Sequence, residues 1–431
     1  MKYDFTITEE PKLQEKYYYH KHKSGLRIYI LPKNFSTYYA IFATKYGSLE
    51  RTFRVAGEKD FVTVPDGVAH FLEHKMFEEE DGSDAFEKFA PFGASANAYT
   101  SFDKTAYLFS CTDHFYDSLR VLLSFVKHPY FTDANVKKEQ GIIGQEIGMC
   151  QDRPSTQLYY ALMNALYSQH NIRTEICGTV DTIAKITPDI LYRCYRTFYN
   201  LSNMALCVVG NVSPDDVVAL ADELLPPEPP VEIETIYPKE TEKVATEYKE
   251  IRMQVARPMF MIGVKDTVTD GDSHMRERRA ATLNLLLDLL FSETSPLHAS
   301  LYEAGLISRA LDAEYEYGNG YAHALIGGES DDPEKVFRLV KEEIAARKKS
   351  PPSEQDFCRA RRTAYADNIR LFDSTEDIGN AFIDDLFSGS DIFTATTLVN
   401  DIQYSEVLSM LNEFFKDGSM TLTVVKPKEK K

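Results

Sequence analysis

His70-Phe71-Leu72-Glu73-His74 places two imidazoles four residues apart, with a carboxylate directly before the second. At about 100° per residue, His70 and His74 share one helix face and Glu73 projects beside them. Two neutral imidazoles bind zinc at about 2.0–2.1 Å. A carboxylate next to such an ion can draw a proton from water. The stretch therefore predicts a short helix carrying half of a metal site. Five residues also fall into this pattern by chance, so the reading turns on whether the rest of a site can be found.

A catalytic zinc takes three protein ligands and keeps one position open. The segment from Ala134 to Cys150 offers the third. Glu139, Ile142, Ile143 and Glu146 fall at i, i+3, i+4 and i+7, one stripe of a helix. The isoleucines predict that the stripe faces the core. A core-facing carboxylate is costly unless it is paired or bound to metal. The plain alternative is neutralisation of Glu139 and Glu146 by Lys137, Lys138 or a distant arginine.

With these residues in hand the chain resembles the pitrilysin/insulinase zinc metallopeptidases. The branch it resembles holds the mitochondrial processing peptidases and their bacterial single-module relatives. The order H-x-x-E-H, the reverse of H-E-x-x-H, is the inverzincin signature. Glu146 follows His74 by 72 residues, and Glu139 completes an E-x6-E pair. Asp66-Gly67-Val68-Ala69 resembles the family's approach to its first histidine. Gly93-Ala94-Ser95-Ala96-Asn97-Ala98-Tyr99-Thr100 resembles its substrate-edge strand. Cys177-Gly178-Thr179, Tyr199-Asn200, Asn203-Met204 and Val208-Val209-Gly210-Asn211-Val212 resemble the end of its first domain. The resemblance implies that His70, His74 and Glu146 bind Zn2+. It implies that Glu73 is the general base and later the proton donor. Glu139 would stand behind the ligands and orient one of them or the water. The implied activity is a zinc-dependent endopeptidase for short or unfolded peptides inside an enclosed chamber.

Composition sets outer bounds. The chain has 431 residues, 43% hydrophobic and 26% charged, ordinary for a globular protein of two or more domains. No apolar run reaches the ~18 residues of a membrane span. The first residues, Met1-Lys2-Tyr3-Asp4-Phe5, lack the basic and apolar regions of a signal peptide. Six scattered cysteines without C-x-x-C read as reduced thiols. Together these features predict a cytoplasmic protein with no membrane partner. A formal charge of −18, from 48 basic and 66 acidic residues, argues against nucleic acid as a partner. It could steer cationic peptides, although solubility is the plainer use.

Pro226-Pro227-Glu228-Pro229-Pro230-Val231-Glu232-Ile233-Glu234 cannot form helix and reads as a linker. The expected organisation is a zinc-bearing half at 1–225, a Pro/acid-rich linker at 226–244 and a metal-free homologous half at 245–431. Both halves read strand, helix, second helix, glycine turn and hairpin. The first runs through Tyr38–Tyr46, Asp66–Phe77, Asp84–Phe89, Gly93 and a hairpin at Tyr99 and Leu108. The second runs through Pro258–Val264, Arg278–Phe291, Pro296–Glu303, Gly305 and a hairpin at Ala313 and Ala324. Matching Phe77 to Phe291 and Gly93 to Gly305 sets Asn284 opposite His70, Leu287 opposite Glu73 and Asp288 opposite His74. The fold class expected is α+β, each half an antiparallel sheet covered by helices. By the resemblance the two halves form half of a clamshell.

Small residues from Ala94 to Ser101 let another backbone approach, which suits strand addition by a substrate peptide. Ala96, Asn97 and Ala98 are the expected substrate contacts, with Asn97 the side chain of choice. One departure from the family stands out. Active members supply an Arg and a Tyr spaced R-x6-Y from the second half, and these bind the substrate carbonyl and oxyanion. If Gly305-Leu306 marks the register, Leu301 and Ser308 occupy those places. Tyr302, Arg309 and Tyr315 lie nearby but out of register. In two-subunit members one chain carries zinc and its partner the Arg and Tyr, and this chain resembles the zinc-bearing subunit. The expected partner is a homologous chain with the Arg/Tyr pair, or a second copy in a homodimer using Arg309 and Tyr315. The competing readings are a catalytically weak or silent scaffold or peptide-binding subunit, and a module with structural zinc. A structural zinc needs four protein ligands, and only three are at hand.

Overall fold

The computed structural model describes residues 2–267 and 272–428. Seven strands build the first large sheet: β1 (Thr6–Glu10), β2 (Glu15–Lys21), β3 (Arg27–Pro32), β4 (Tyr38–Thr44), β7 (Ser95–Thr100), β8 (Thr105–Cys111) and β9 (Met204–Gly210), in the order β1-β2-β3-β9-β4-β8-β7. A small sheet holds β5 (Thr52–Val55), β6 (Val62–Thr63) and β10 (Ile233–Thr235). The second large sheet, in the order β11-β15-β12-β14-β13, takes β11 (Tyr248–Met253), β12 (Met259–Lys265), β13 (Asp312–Gly318), β14 (Tyr321–Glu329) and β15 (Met420–Pro427).

The internal repeat is visible in topology. The core order β3-β9-β4-β8-β7 of the first sheet reappears as β11-β15-β12-β14-β13. The pairing directions also match. β4 runs antiparallel to β8 and β9, and β12 antiparallel to β14 and β15. The sheets are not wholly antiparallel as expected, because β3 with β9 and β11 with β15 run parallel. These are the first core strand and the last strand of each half. The whole intervening chain serves as the crossover that a parallel pair requires.

β4 and β9 are buried along nearly their whole length and read as continuous apolar runs, the pattern of strands covered on both faces. In the first sheet one cover is the helix Thr375–Ser388. Its Gly379 lies so close to Tyr39 that an added Cβ would stand 2.5 Å from the ring. Phe382, one turn on, meets the rings of Tyr17 and Tyr29 at 5.1 and 4.8 Å. In the second sheet the cover is the helix Pro154–Leu166, and a Cβ on Gly263 of β12 would meet Leu166 at 2.9 Å.

The compact units are therefore not contiguous halves. One comprises the residues up to Ile147, Thr174–Tyr237 and Ile369–Phe387; the other comprises Gly148–Arg173, Pro238–Asn368 and from Ser388 onward. Each half gives up one apolar helix to the other unit, because a sheet buried on both faces needs two covers. The helix expected over Asp84–Phe89 is instead two 3₁₀ turns, Ala85–Lys88 and Ala90–Phe92. Pro91 and a left-handed Gly93 (φ +64°) stop any continuation.

The proline-rich segment is anchored rather than free. Ile233–Thr235 pairs with β5 in one unit. Glu240 belongs to the other unit. Its carboxylate accepts from the N–H groups of Ser168, Gln169 and His170 and from Lys265 Nζ at 3.0 Å. Burial alone would raise the Glu240 pKa, but those donors hold it down at about 2. The folded value lies below the unfolded one, near 4.3. The associated stability is thus present above the unfolded pKa and lost as pH falls through the folded one. Glu240→Ala leaves the Lys265 ammonium, whose side chain is 2% exposed, buried without its carboxylate. The expected loss is roughly 3–5 kcal/mol at pH 7. Urea unfolding of wild type and variant should show this gap shrinking as pH is lowered from 4.5 towards 2.

Candidate metal centre

The helix α1 (Val68–Lys75) is only eight residues long and lacks a side-chain N-cap. Burial orients it instead. Val68, Ala69, Phe71 and Leu72 are at most 3% exposed and turn one side into the core. Gly67 enters in a left-handed conformation (φ +93°), where a Cβ would stand 2.6 Å from the Cys177 carbonyl. With its apolar side fixed, α1 presents His70, Glu73 and His74 on the other.

The facing residues come from the helix Asp133–Gln151, α3 when α2 is Phe115–Phe125. Val136, Glu139, Ile143 and Ile147 form its buried stripe. The expectation that both isoleucines face inward fails at Ile142, which is 45% exposed and lines a cleft beside the site. Placing Ile143 and Ile147 inward rotates position 142 out of the core. Glu146, at the edge of the same stripe, is half-exposed and meets both histidines.

The geometry is that of a metal donor set. His70 Nε2 lies 3.6 Å from Glu146 Oε1, and His74 Nε2 lies 3.4 Å from Glu146 Oε2. Three atoms, one from each residue, fall within 4.8 Å of one another. Donors held at about 2.0–2.1 Å around a tetrahedral ion stand roughly 3.4 Å apart, so the spacing suits a common ion. The chemistry of the set fits as well. His74 Nδ1 meets Glu139 Oε1 at 3.1 Å, which gives Nδ1 the proton and leaves the Nε2 lone pair for a metal. Burial and then the neighbouring His74 charge lower the pKa of His70, favouring the neutral imidazole that binds metal. Burial works against a charged His74 too, but its bonds to Glu139 and Glu146 hold it at about 9 without an ion.

Glu139 is neutralised from a direction the sequence did not suggest. Lys75, next to His74 and fully buried, reaches Glu78 and lies 3.7 Å from Glu139. Lys138 is exposed and contacts Glu78 at 3.9 Å, while Lys137 donates to Gln140. Burial opposes ionisation of Glu139, yet the His74 bond and the Lys75 charge hold its pKa below the ordinary value. Glu73 is pushed the other way. Burial raises its pKa, against a hydrogen bond donated by Thr100 Oγ1 at 2.6 Å. Lys75 and Thr100 are the two functional contacts that sequence reasoning missed. For Thr100 a signal was present: it shares a strand face with Ala96 and Ala98.

β7 forms an edge of the first sheet and, among the described residues, pairs only with β8. Ala96 and Ala98 pack against the core, and Asn97 is exposed. The Ala98 N–H donates to Asn97 Oδ1 at 2.9 Å. Asn97 and Ala98 line a cleft of about 430 Å³ with Glu73, His74, Phe77 and Phe86.

The second half keeps the scaffold without the chemistry. Asn284 and Asp288 are exposed on the helix Ser273–Phe291, and Leu287 is fully buried where Glu73 would stand. Among the described residues the His70, His74 and Glu146 group is the one cluster suited to a metal. Leu301 is a buried core residue and Ser308 is exposed. Tyr315 is buried, and its hydroxyl donates to Asp266 at 2.7 Å beside Arg279. Arg309 lies on the surface, 3.8 Å from Asp312. Tyr315 is thus committed inside its own unit, which removes it as a substitute for the missing tyrosine.

Comparison with known proteins matches this architecture. Residues 64–180 match the insulinase family (peptidase family M16), and residues 185–364 match the peptidase M16 inactive domain. An uncharacterized zinc protease of Bacillus subtilis, YmfH, is 38% identical over 424 residues, covering 97% of this chain and 99% of that protein. An M16-like peptidase candidate from Alicyclobacillus acidocaldarius superposes with a TM-score of 0.92 at 31% identity, covering 98% of this chain and all of that one. The periplasmic protease PqqL of Escherichia coli shares the fold (TM-score 0.74, 19% identity), with this chain covering 47% of its length.

Metal analysis of the purified chain should find about one zinc per molecule. Glu146→Gln removes a charged donor that meets both imidazoles, and zinc affinity should fall roughly ten-fold or more while circular dichroism stays unchanged. Undiminished affinity in that variant would remove Glu146 from the ligand set.

Proposed function

The chain belongs to the insulinase family of M16 peptidases, and we propose that it is a zinc-dependent endopeptidase acting on short or unfolded peptides. The observation that carries this reading is the convergence of His70, His74 and Glu146, with the Glu73 carboxylate held beside them. Zinc bound there would polarise the scissile carbonyl and lower the pKa of its water towards ~7.

The chain's own residues do the rest. Glu73 accepts the water proton and returns it to the leaving amine. Its raised pKa suits a base that must later act as an acid. Glu139 holds the tautomer of His74 and shares the Lys75 ammonium with Glu78. The peptide backbone lies along β7, where Asn97 and Ala98 border the cleft. Pairing through main-chain groups tolerates many sequences. The six cysteines are all free thiols, which supports a cytosolic location.

A second reading concerns self-sufficiency. Leu301 is buried and Ser308 offers no tyrosine, so the chain lacks the donors for the substrate carbonyl. The relation to PqqL, about twice as long, accords with a two-module enzyme. In this reading the chain by itself is catalytically weak or a silent peptide-binding subunit. A homologous partner supplies the Arg/Tyr pair and closes the site.

Glu73→Gln should keep its zinc and its peptide affinity and lose hydrolysis by roughly 10²–10⁴-fold. Near wild-type cleavage by this variant would refute the mechanism. The purified chain should turn peptides over poorly, and a homologous chain with an R-x6-Y segment should restore turnover. Each missing oxyanion donor is worth roughly 2.7–4 kcal/mol. Arg309→Ala should change neither rate. Full turnover by the single chain that vanishes in Arg309→Ala would instead establish a homodimer.

A further inference from the structure

Thr100 sits at the end of β7, and its hydroxyl reaches the Glu73 carboxylate at 2.6 Å. The next hydroxyl is Thr105. Thr105, fully buried on β8, donates to the Tyr46 carbonyl at 2.9 Å. A carbonyl only accepts, so the single Thr105 proton is committed there. Across the 3.3 Å contact with Thr100, Thr105 has only lone pairs to offer. A carboxylate only accepts, so the 2.6 Å contact with Glu73 takes the Thr100 proton in preference to the Thr105 lone pairs at 3.3 Å. The Tyr107 and Tyr199 hydroxyls meet at 2.8 Å, and Tyr199 also contacts Thr105.

We propose that Thr100 is a positioning residue for Glu73. Its hydroxyl ties Oε2 to the edge strand and so fixes the carboxylate rotamer, which leaves Oε1 for proton transfer. The proposal rests on reading Glu73 as the general base. It adds a link between substrate and base. A peptide paired with β7 and the carboxylate that serves it are referenced to one strand, two residues apart at Ala98 and Thr100. The spacing between scissile bond and base then runs through two residues of one strand and the Thr100 hydrogen bond.

Thr100→Val keeps the shape and removes the donor; Thr100→Ser keeps the donor. With the full chain, and the partner if turnover needs it, Thr100→Val should lower kcat roughly 10–100-fold with KM nearly unchanged. Zinc content should stay the same. Thr100→Ser should recover most of the rate. A crystal structure of the metal-free Thr100→Val variant should show the Glu73 carboxylate turned away from its wild-type position. Wild-type kcat in Thr100→Val, alongside an inactive Glu73→Gln, would overturn the proposal, as would an unmoved carboxylate in the crystal. Equal losses in the Val and Ser variants would assign Thr100 to the fold alone. If Glu73→Gln stays active, the base assignment fails instead, and the crystal comparison still decides whether Thr100 holds the carboxylate.

Discussion

The clasp between α1 and α3 is the constraint on which the site depends. It consists of Glu139 reaching across to His74 at 3.1 Å and to Lys75 at 3.7 Å. α1 has two turns and no side-chain cap, far short of the length at which a helix holds itself in water. α3 is not strong by itself either. Gly141, Gly144 and Gly148 interrupt it, each costing about 1 kcal/mol relative to alanine, and a Cβ at any of them would meet nothing within 4 Å. Neither helix is positioned by its own propensity. Apolar burial sets their rotation, and the buried charges set how far one lies along the other.

That arrangement explains why a fully buried lysine is tolerated. An isolated ammonium in the core is prohibitive, but Lys75 contacts both Glu78 and Glu139. The His74 bond, the His74 charge and then the Lys75 charge hold Glu139 ionised against its burial, and its Oε1 accepts from His74 Nδ1. The lysine touches no candidate donor atom; it acts on the site only through Glu139, 3.7 Å away. Where the second half has no such chemistry, the constraint is released. Leu287 joins the core at the place of Glu73, and the positions of the two histidines are left to exposed Asn284 and Asp288. There Asn284 accepts the Tyr315 N–H at 2.9 Å, a structural bond with no metal chemistry.

Much of this was legible in the sequence, for reasons of short range. A helical period is fixed by backbone geometry, so His70, Glu73 and His74 could be placed on one face from spacing alone. Glu139 and Glu146 flank Ile143, which is fully buried, and this stripe pointed them towards α1. The hairpins and glycine turns of the repeat followed from local chemistry, and both Gly93 and Gly305 adopt left-handed conformations. What stayed hidden depends on tertiary choice. The helices Pro154–Leu166 and Thr375–Ser388 are apolar on one side, but nothing local says which sheet each one covers. The exposure of Ile142 depends on a helix rotation of a fraction of a turn. Lys75 and Thr100 act on residues brought close by folding, at the ends of elements whose interior pattern attracts more notice.

The same distinction bears on the gap in the chemistry. A missing Arg and Tyr could have been an error of alignment, since Tyr302, Arg309 and Tyr315 are close in sequence. The structure gives each a different environment. Tyr302 is exposed, Arg309 is a surface residue beside Asp312, and Tyr315 is buried with its hydroxyl on Asp266. Moving Tyr315 to a substrate carbonyl would strip a buried carboxylate of a donor and open a hole in the second core, a cost of several kcal/mol. A register shift is therefore no remedy. Neither Leu301, buried in the second core, nor Ser308 nor Tyr315 offers a free phenol for a developing oxyanion, while Glu73, Thr100, His70, His74 and Glu146 all lie within one compact unit of the chain.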